Sequence, residues 1–353
     1  MPGRPGMAWQ GNGKKGQKRA IVCLDDGQGR VDGCQSSGVL RYRLMEASTQ
    51  ILKSPQIEDY FVVLGQASSG KEYYAQYGEQ LTEWYESGKV IVVPEVALPW
   101  DQEFLWSVAY PQTRFFSKMA QPDLLAPLHP SPRERAVRFA RHVRERLAGR
   151  EAFPARHPLH HVFAGDMKKA RRYQEMIRKT NDALETFMRE MFPRYRIVSG
   201  PQISWRFSET RVQDLHLDAY KRKDDNWTLR ALVNADHVPR VWCTSHSLET
   251  LADRYYRKLE MQKLSHLPPD EFNRHFSNRL FGGIPNSGKD GFPRHICHFG
   301  PGSLWLAKTR LIPHQIFFGR RMISVGFEVD PSSMGAPELS FRSRMQRIHA
   351  KYQ

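Results

Sequence analysis

Downstream of about residue 40 the chain falls into stretches of clear hydrophobic periodicity. Leu81, Trp84 and Tyr85 recur at helical spacing and predict a helix from Tyr73 to Ser87, with Gly88 where a left-handed terminating residue is wanted. Lys89 to Val93 then reads as a short buried strand before Pro94. Ser131-Pro132-Arg133-Glu134 has the S-x-x-E spacing of a capping box with proline at the first helical position, and Ala136, Ala140, Val143 and Leu147 follow at helical intervals. The same helix carries Arg133, Arg135, Arg138, Arg141, Arg144 and Arg146, which read either as a solvated face or as a docking surface for acidic headgroups. Asp166 to Phe192 predicts a second long helix, with Ala170, Tyr173, Ile177, Leu184, Phe187 and Met191 on one stripe and Pro193 ending it.

After Pro193 the period changes from helical to two. Ile203, Trp205 and Phe207 alternate with polar neighbours, as do Trp227, Leu229, Ala231 and Val233, and Ile323, Val325, Phe327 and Val329. The chain is therefore of α+β class, with helical support over 73–193, a β core over 194–330 and a polar insertion at about 250–295 that suits a lid or surface excursion. Residues 1–38 are rich in Gly, Lys, Gln and Ser without periodicity and read as a flexible basic tail ahead of a single domain over 39–353.

Composition narrows the classes. Of 353 residues 40% are hydrophobic, enough for a sizeable core, while the longest apolar runs, Tyr60 to Leu64 and Val90 to Val93, fall far short of the roughly 20 residues that span a bilayer. The run Ala20 to Leu24 is too short for a secretory h-region, and Cys23, Cys34, Cys243 and Cys297 form no C-x-x-C pair, so a cytoplasmic protein with reduced thiols is expected. The net charge of +16 attracts anionic partners: nucleic acid, an acidic membrane surface or an acidic substrate. The sequence contains no zinc finger, RNP sequence or basic zipper, so no specific nucleic acid is expected, and a basic nucleic-acid-binding protein is the secondary reading.

The candidate chemistry lies in Leu215-His216-Leu217-Asp218-Ala219. Residues two apart on a strand share a face, so His216 and Asp218 can present an imidazole and a carboxylate to one point. With His314 they would form a two-His-one-carboxylate facial triad, whose open positions suit non-haem Fe(II). The pair alone is a weak signal, because H-x-D arises by chance about once per thousand residues and a strand histidine commonly serves as a structural donor. Arg230 falls on the face shared with Thr228 and Asn234, and a guanidinium inside a barrel needs an anion. That anion is either the distal carboxylate of a cosubstrate such as 2-oxoglutarate or a carboxylate of the protein. His160-His161, and His295 with His298 and Cys297, are weaker metal-ligand candidates.

Trp205-Arg206, Leu215 to Tyr220, Leu229 to Asn234, Pro239-Arg240-Val241-Trp242 and Pro301 to Trp305, in that order, resemble the motif series of the bacterial Kdo 3-hydroxylases. Ser87 to Pro94 and Phe341 to Ile348 extend the resemblance to about residues 75–353. The resemblance implies a double-stranded β-helix (jelly-roll, cupin-like) core buttressed by N-terminal helices. It also implies an Fe(II)- and 2-oxoglutarate-dependent dioxygenase that uses O2 to hydroxylate the 3-position of Kdo in the lipopolysaccharide inner core or lipid A precursor. The same iron chemistry on another acidic glycan, a nucleotide or a protein side chain is the neighbouring reading.

Residue by residue, the resemblance implies iron on His216, Asp218 and His314 and cosubstrate on Arg230 with Asn234 nearby. Many relatives in the wider superfamily place the cosubstrate arginine about ten residues past the distal histidine; here that position is Ser324, and Arg320 and Arg321 come too early. Arg206, Arg211, Arg240 and Trp242 are candidate contacts to an acidic sugar, each weighed against a surface ion pair or simple packing; Trp205 and Trp305 are weighed the same way. A lipid-linked acceptor implies a cytoplasmic protein, peripheral on the inner-membrane face. The long N-terminus and the 98-residue interval from His216 to His314 depart from the family pattern and bear on substrate identity.

Overall fold

The computed structural model describes residues 48–108, 119–148, 157–207, 214–220, 227–282 and 291–352. The expected tail over 1–38 and Arg211 lie outside the described residues. Two sheets form the centre. The smaller has the order β1 (Gln50–Leu52), β8 (His295–Phe299), β7 (Arg240–Thr244) and β10 (His314–Phe318), all antiparallel. The larger has the order β2 (Phe61–Val63), β3 (Val90–Val93), β9 (Leu304–Leu306), β6 (Trp227–Asn234), β11 (Arg321–Val329), β5 (Ile197–Phe207) and β4 (Met119–Ala120), antiparallel except between β2 and β3. A single bridge between His216 and His314 adds the segment around His216 to the β10 edge of the smaller sheet. From β5 onward the chain thus crosses repeatedly between the sheets, in the order large, small, large, small, small, large, small, large.

Period two in the sequence becomes two separate cores. Leu229, Ala231 and Val233 of β6, with Ile323, Val325 and Phe327 of β11, face a cluster that includes Tyr73, Leu81, Ile177 and Leu184 of the supporting helices. Leu232 of β6 and Met322 of β11 point the other way and pack with Trp242, Phe299 and Ile316 of the smaller sheet. The larger sheet is therefore covered by helices on one face and by the smaller sheet on the other, which is why its strands β3 and β9 are buried on both faces, while β6, β11 and β5 turn an apolar face to the helices and a mixed face to the smaller sheet.

Several elements follow the sequence pattern closely. Met167–Met191 is capped by Asp166, and Pro132–Leu147 by a complete capping box from Ser131 and Glu134. Gly88 adopts a left-handed conformation at φ +96°, and Val90–Val93 is fully buried. The helix expected over 73–87 is instead two, Gly70–Tyr77 and Gln80–Ser87. They are separated at Gly78, whose φ of 55° and ψ of −136° only glycine adopts without strain.

The insertion differs more. Helices Leu248–Tyr255 and Pro269–Phe281 bury Leu248, Leu251, Phe272 and Phe276 in a third core with Leu215, Leu217, Leu311 and Phe341. This part is a buried support rather than a surface excursion: apolar residues at helical spacing give each helix one dry face despite a polar average. Residues 283–290 of the insertion lie outside the described residues.

Candidate metal centre

His216 and His314 exchange both backbone hydrogen bonds, His216 N to His314 O at 3.1 Å and His314 N to His216 O at 2.9 Å, so their side chains leave the same side of the sheet. Their rings lie 4.4 Å apart between centroids. Asp218 is held nearby by its own N–H donating to Thr309 O at 2.9 Å. One donor atom from each of His216, Asp218 and His314 lies within 4.8 Å of the others.

The rings are oriented for coordination. His216 Nδ1 is 2.6 Å from Asp214 O and His314 Nδ1 is 3.4 Å from Ile312 O. A carbonyl only accepts, so each Nδ1 carries the proton and each Nε2 presents its lone pair. His216 Nε2 stands 3.6 Å from Asp218 Oδ1, outside hydrogen-bond range yet close enough to share a cation. The other carboxylate oxygen is occupied: Asp218 Oδ2 accepts from Arg230 Nη1 at 2.5 Å and from Tyr220 Oη at 3.0 Å. Arg230 Nη1 also bonds Tyr220 Oη and reaches Thr309 Oγ1 at 3.1 Å. One carboxylate oxygen is fastened and one is left to coordinate. Two imidazole nitrogens and one carboxylate oxygen in this arrangement suit a borderline divalent cation such as ferrous iron.

The electrostatics point the same way. Burial pushes the His314 imidazole down to about 3, with His216 adding to the effect, so the ring is neutral and ready to coordinate. Burial also opposes charge on Asp218, but His216, His314 and Arg230 outweigh it and hold the carboxyl well below its usual range. For His216 burial works downward and the Asp218 carboxylate lifts it by more. A carboxylate that draws a proton to this imidazole draws a cation to the same place.

The remaining sequence candidates divide. Arg230 does face the inter-sheet side, and its anionic partner is Asp218. Asn234 is fully engaged: Nδ2 donates to Val238 O, Phe299 O and Gly300 O, and Oδ1 accepts from Asp236 N, so it locks two turns together and leaves no group for a cosubstrate. Arg240 is buried with Nε and Nη1 unpartnered, and burial together with Arg206 pushes its guanidinium down to about 9 against the pull of Asp236. Trp242, two residues along the same strand face, packs its ring 5.6 Å from His314. Trp205 faces the helices instead and donates Nε1–H to Asn181 Oδ1 at 3.0 Å, while Trp305 stacks on Phe299. His295 accepts from Ser54 N through Nδ1 and lies 3.1 Å from Glu58 O through Nε2, a structural role.

The sequence reading overlooks four residues at this centre. Tyr220 and Thr309 brace Asp218. Ser277 Oγ accepts from Leu217 N at 3.0 Å, and Asn273 Nδ2 donates to Asp218 O at 2.9 Å, so helix Pro269–Phe281 fixes the backbone that carries the His-x-Asp pair. Only Tyr220 has a signal in the sequence, as the next term of the alternation His216, Asp218, Tyr220.

Solved structures of one enzyme superpose on this chain. The Kdo hydroxylase KdoO, a non-heme Fe(II) alpha-ketoglutarate-dependent dioxygenase, matches in its complex with succinate and Fe(III) at a TM-score of 0.55 and 16% identity, over 83% of this chain and 97% of that one. Its complex with alpha-ketoglutarate and Fe(III) matches at 0.56 and 16% identity, over 81% and 95%. Its cobalt(II) complex matches at 0.54 and 15%, over 83% and 97%. The chain has the KdoO fold. No protein-family model matches it, and neither does any curated protein sequence. In this chain helix Pro269–Phe281 steadies the segment that carries His216 and Asp218, and β10 brings His314 to it.

Proposed function

We propose that this chain is an Fe(II)- and 2-oxoglutarate-dependent dioxygenase whose core is a double-stranded β-helix, a reading supported by the chain's alternation between two sheets. His216, Asp218 and His314 would hold the iron. The observation that carries the reading is the half-used carboxylate of Asp218: Arg230 and Tyr220 fasten Oδ2, and Oδ1 is turned to two imidazoles with bare Nε2 atoms. Bound iron with 2-oxoglutarate supplies the oxidising power of O2, so that a C–H bond becomes C–OH while 2-oxoglutarate and O2 yield succinate and CO2.

The chain's own residues do the positioning. Arg230 is bonded to Asp218 and sets the orientation of that ligand. The cosubstrate's distal carboxylate is better matched to Arg240, a buried guanidinium with two unpartnered nitrogens, on the strand whose Trp242 packs against His314. Trp242 and the surrounding apolar core exclude water from the inter-sheet space. The acceptor we propose is the Kdo sugar of a lipopolysaccharide precursor, an acidic substrate suited to a protein of net charge +16. Arg206, on the inter-sheet side of β5, is a candidate contact for it.

Incubation of the purified chain with Fe(II), 2-oxoglutarate, O2 and Kdo-bearing lipid should release succinate and add one oxygen to Kdo, and His314→Ala should abolish both. Succinate release that ignores the Kdo lipid assigns the same chemistry to another acceptor. Absence of succinate with metal bound would defeat the oxygenase reading.

A further inference from the structure

Helix Pro132–Leu147 is amphipathic in the reverse sense to the helices that support the β core. None of its residues is buried, and Phe139, Val143 and Leu147 are 61%, 37% and 84% exposed. At 100° per residue, Phe139, Val143, Ala136, Leu147 and Ala140 fall within an arc of about 100°. Arg133 and Arg144 border that arc on one side and Arg135 and Arg146 on the other. The opposite, polar face meets the protein: Arg141 lies 3.8 Å from Asp123 of helix Gln121–Leu124, and Arg138 is charge-coupled to Asp123 and His157. A helix that packs onto its domain by charges and turns its apolar stripe outward gains nothing from that stripe within the described residues.

We infer that Pro132–Leu147 lies in the plane of an anionic lipid surface, with Phe139, Val143 and Leu147 entering the acyl boundary. The four flanking arginines would meet lipid phosphates, their aliphatic stems lying along the apolar layer. Charge complementarity selects this occupant: a second protein of ordinary surface would have to bury four guanidinium groups beside the apolar contact, whereas an anionic headgroup layer supplies partners on both flanks at once. The inference deepens the proposed function, because it names the face on which a lipid-linked acceptor would arrive. It rests on that reading only for the acceptor's location, since lipid binding requires neither iron nor 2-oxoglutarate.

The test is co-sedimentation of the full chain, free of iron and cosubstrate, with phosphatidylglycerol-containing vesicles and with neutral phosphatidylcholine vesicles, in 0.1 M salt. Wild type is expected to prefer the anionic vesicles at least tenfold. F139S/L147S should lower the partition coefficient at least tenfold, and replacing Arg133, Arg135, Arg144 and Arg146 by Gln should erase the preference. Because these side chains are exposed, circular dichroism should show the variants folded. A charge-matched control, Lys168, Lys169, Arg171 and Arg178 to Gln on helix Met167–Met191, should leave binding within about threefold of wild type. Equal loss in the control, undiminished binding in F139S/L147S, or no wild-type binding overturns the inference. So does a wild-type dimer that F139S/L147S converts to monomer, which would make the stripe a contact between copies of this chain. Succinate release with a soluble acceptor is expected to be unchanged in F139S/L147S, so failure of the lipid inference and failure of the oxygenase reading are told apart.

Discussion

His216 and His314 are 98 residues apart in sequence and directly opposite one another in the fold, joined by two reciprocal backbone hydrogen bonds. That pairing, more than either side chain, makes the cluster. Because register is set by backbone bonds on both residues, neither ring can shift along its strand without breaking them.

Asp218→Ala should do more than remove a ligand. It leaves the Arg230 guanidinium, 18% exposed, without its carboxylate, which costs on the order of 3–5 kcal/mol. The double substitution Asp218→Ala with Arg230→Met should recover much of that stability while staying free of metal. Urea unfolding of the single and double variants, read beside their iron content, checks both halves. Equal stability of the two would mean that the pair is not coupled.

Asn273→Ala and Ser277→Ala act at a distance from the ligand atoms but on the backbone that carries them. Supports of this kind are worth about 10–100-fold in metal affinity, so iron or cobalt binding should weaken by that order with secondary structure retained. Calorimetric titration of the metal is the measurement.

Arg240→Met should separate stability from cosubstrate use. Removal of a buried guanidinium with two unpartnered nitrogens should raise the melting temperature of the protein without cosubstrate. Loss of its charged hydrogen bonds, about 2 kcal/mol, should raise the KM for 2-oxoglutarate roughly thirtyfold with little change in metal content. Arg230→Met should show the converse, a fall in metal occupancy ahead of any change in KM. If Arg230→Met alone moves the KM, the cosubstrate carboxylate belongs to Arg230.

His157 should set an acid limit on stability. Its Nδ1 accepts from Leu159 N at 3.1 Å as the cap of helix Pro158–Val162, and its Nε2 lies 3.1 Å from Ala126 O, an arrangement that only the neutral ring can make. Burial first, then Arg138 and His160, push it from 6.5 down to about 4. The unfolded chain therefore takes the proton first as pH falls. Stability is intact above about 6.5 and declines toward 4, by about 3 kcal/mol over that window. Unfolding midpoints across pH 4–7 should fall less steeply in His157→Gln; an unchanged slope would place the acid sensitivity elsewhere.

Local signals in the chain were sufficient for several elements and their faces. The capping box at Ser131, the Gly88 terminus and the stripe of Met167–Met191 are written within a few residues of where they act. Alternation in β6 placed Arg230 on the inter-sheet side, because side-chain direction in a strand depends only on parity. Parity says nothing of what lies across the gap. Only tertiary contact decided that Arg230 meets Asp218, that Asn234 is consumed by turn carbonyls, and that Arg240 keeps two nitrogens unpartnered. The same holds for the insertion, whose polar average hid Phe272 and Phe276 on a dry face and Asn273 and Ser277 on the face that grips the His-x-Asp segment. Composition averages over faces, and partners distant in sequence are chosen by packing, so the residues that steady the candidate centre became visible only once the chain was folded.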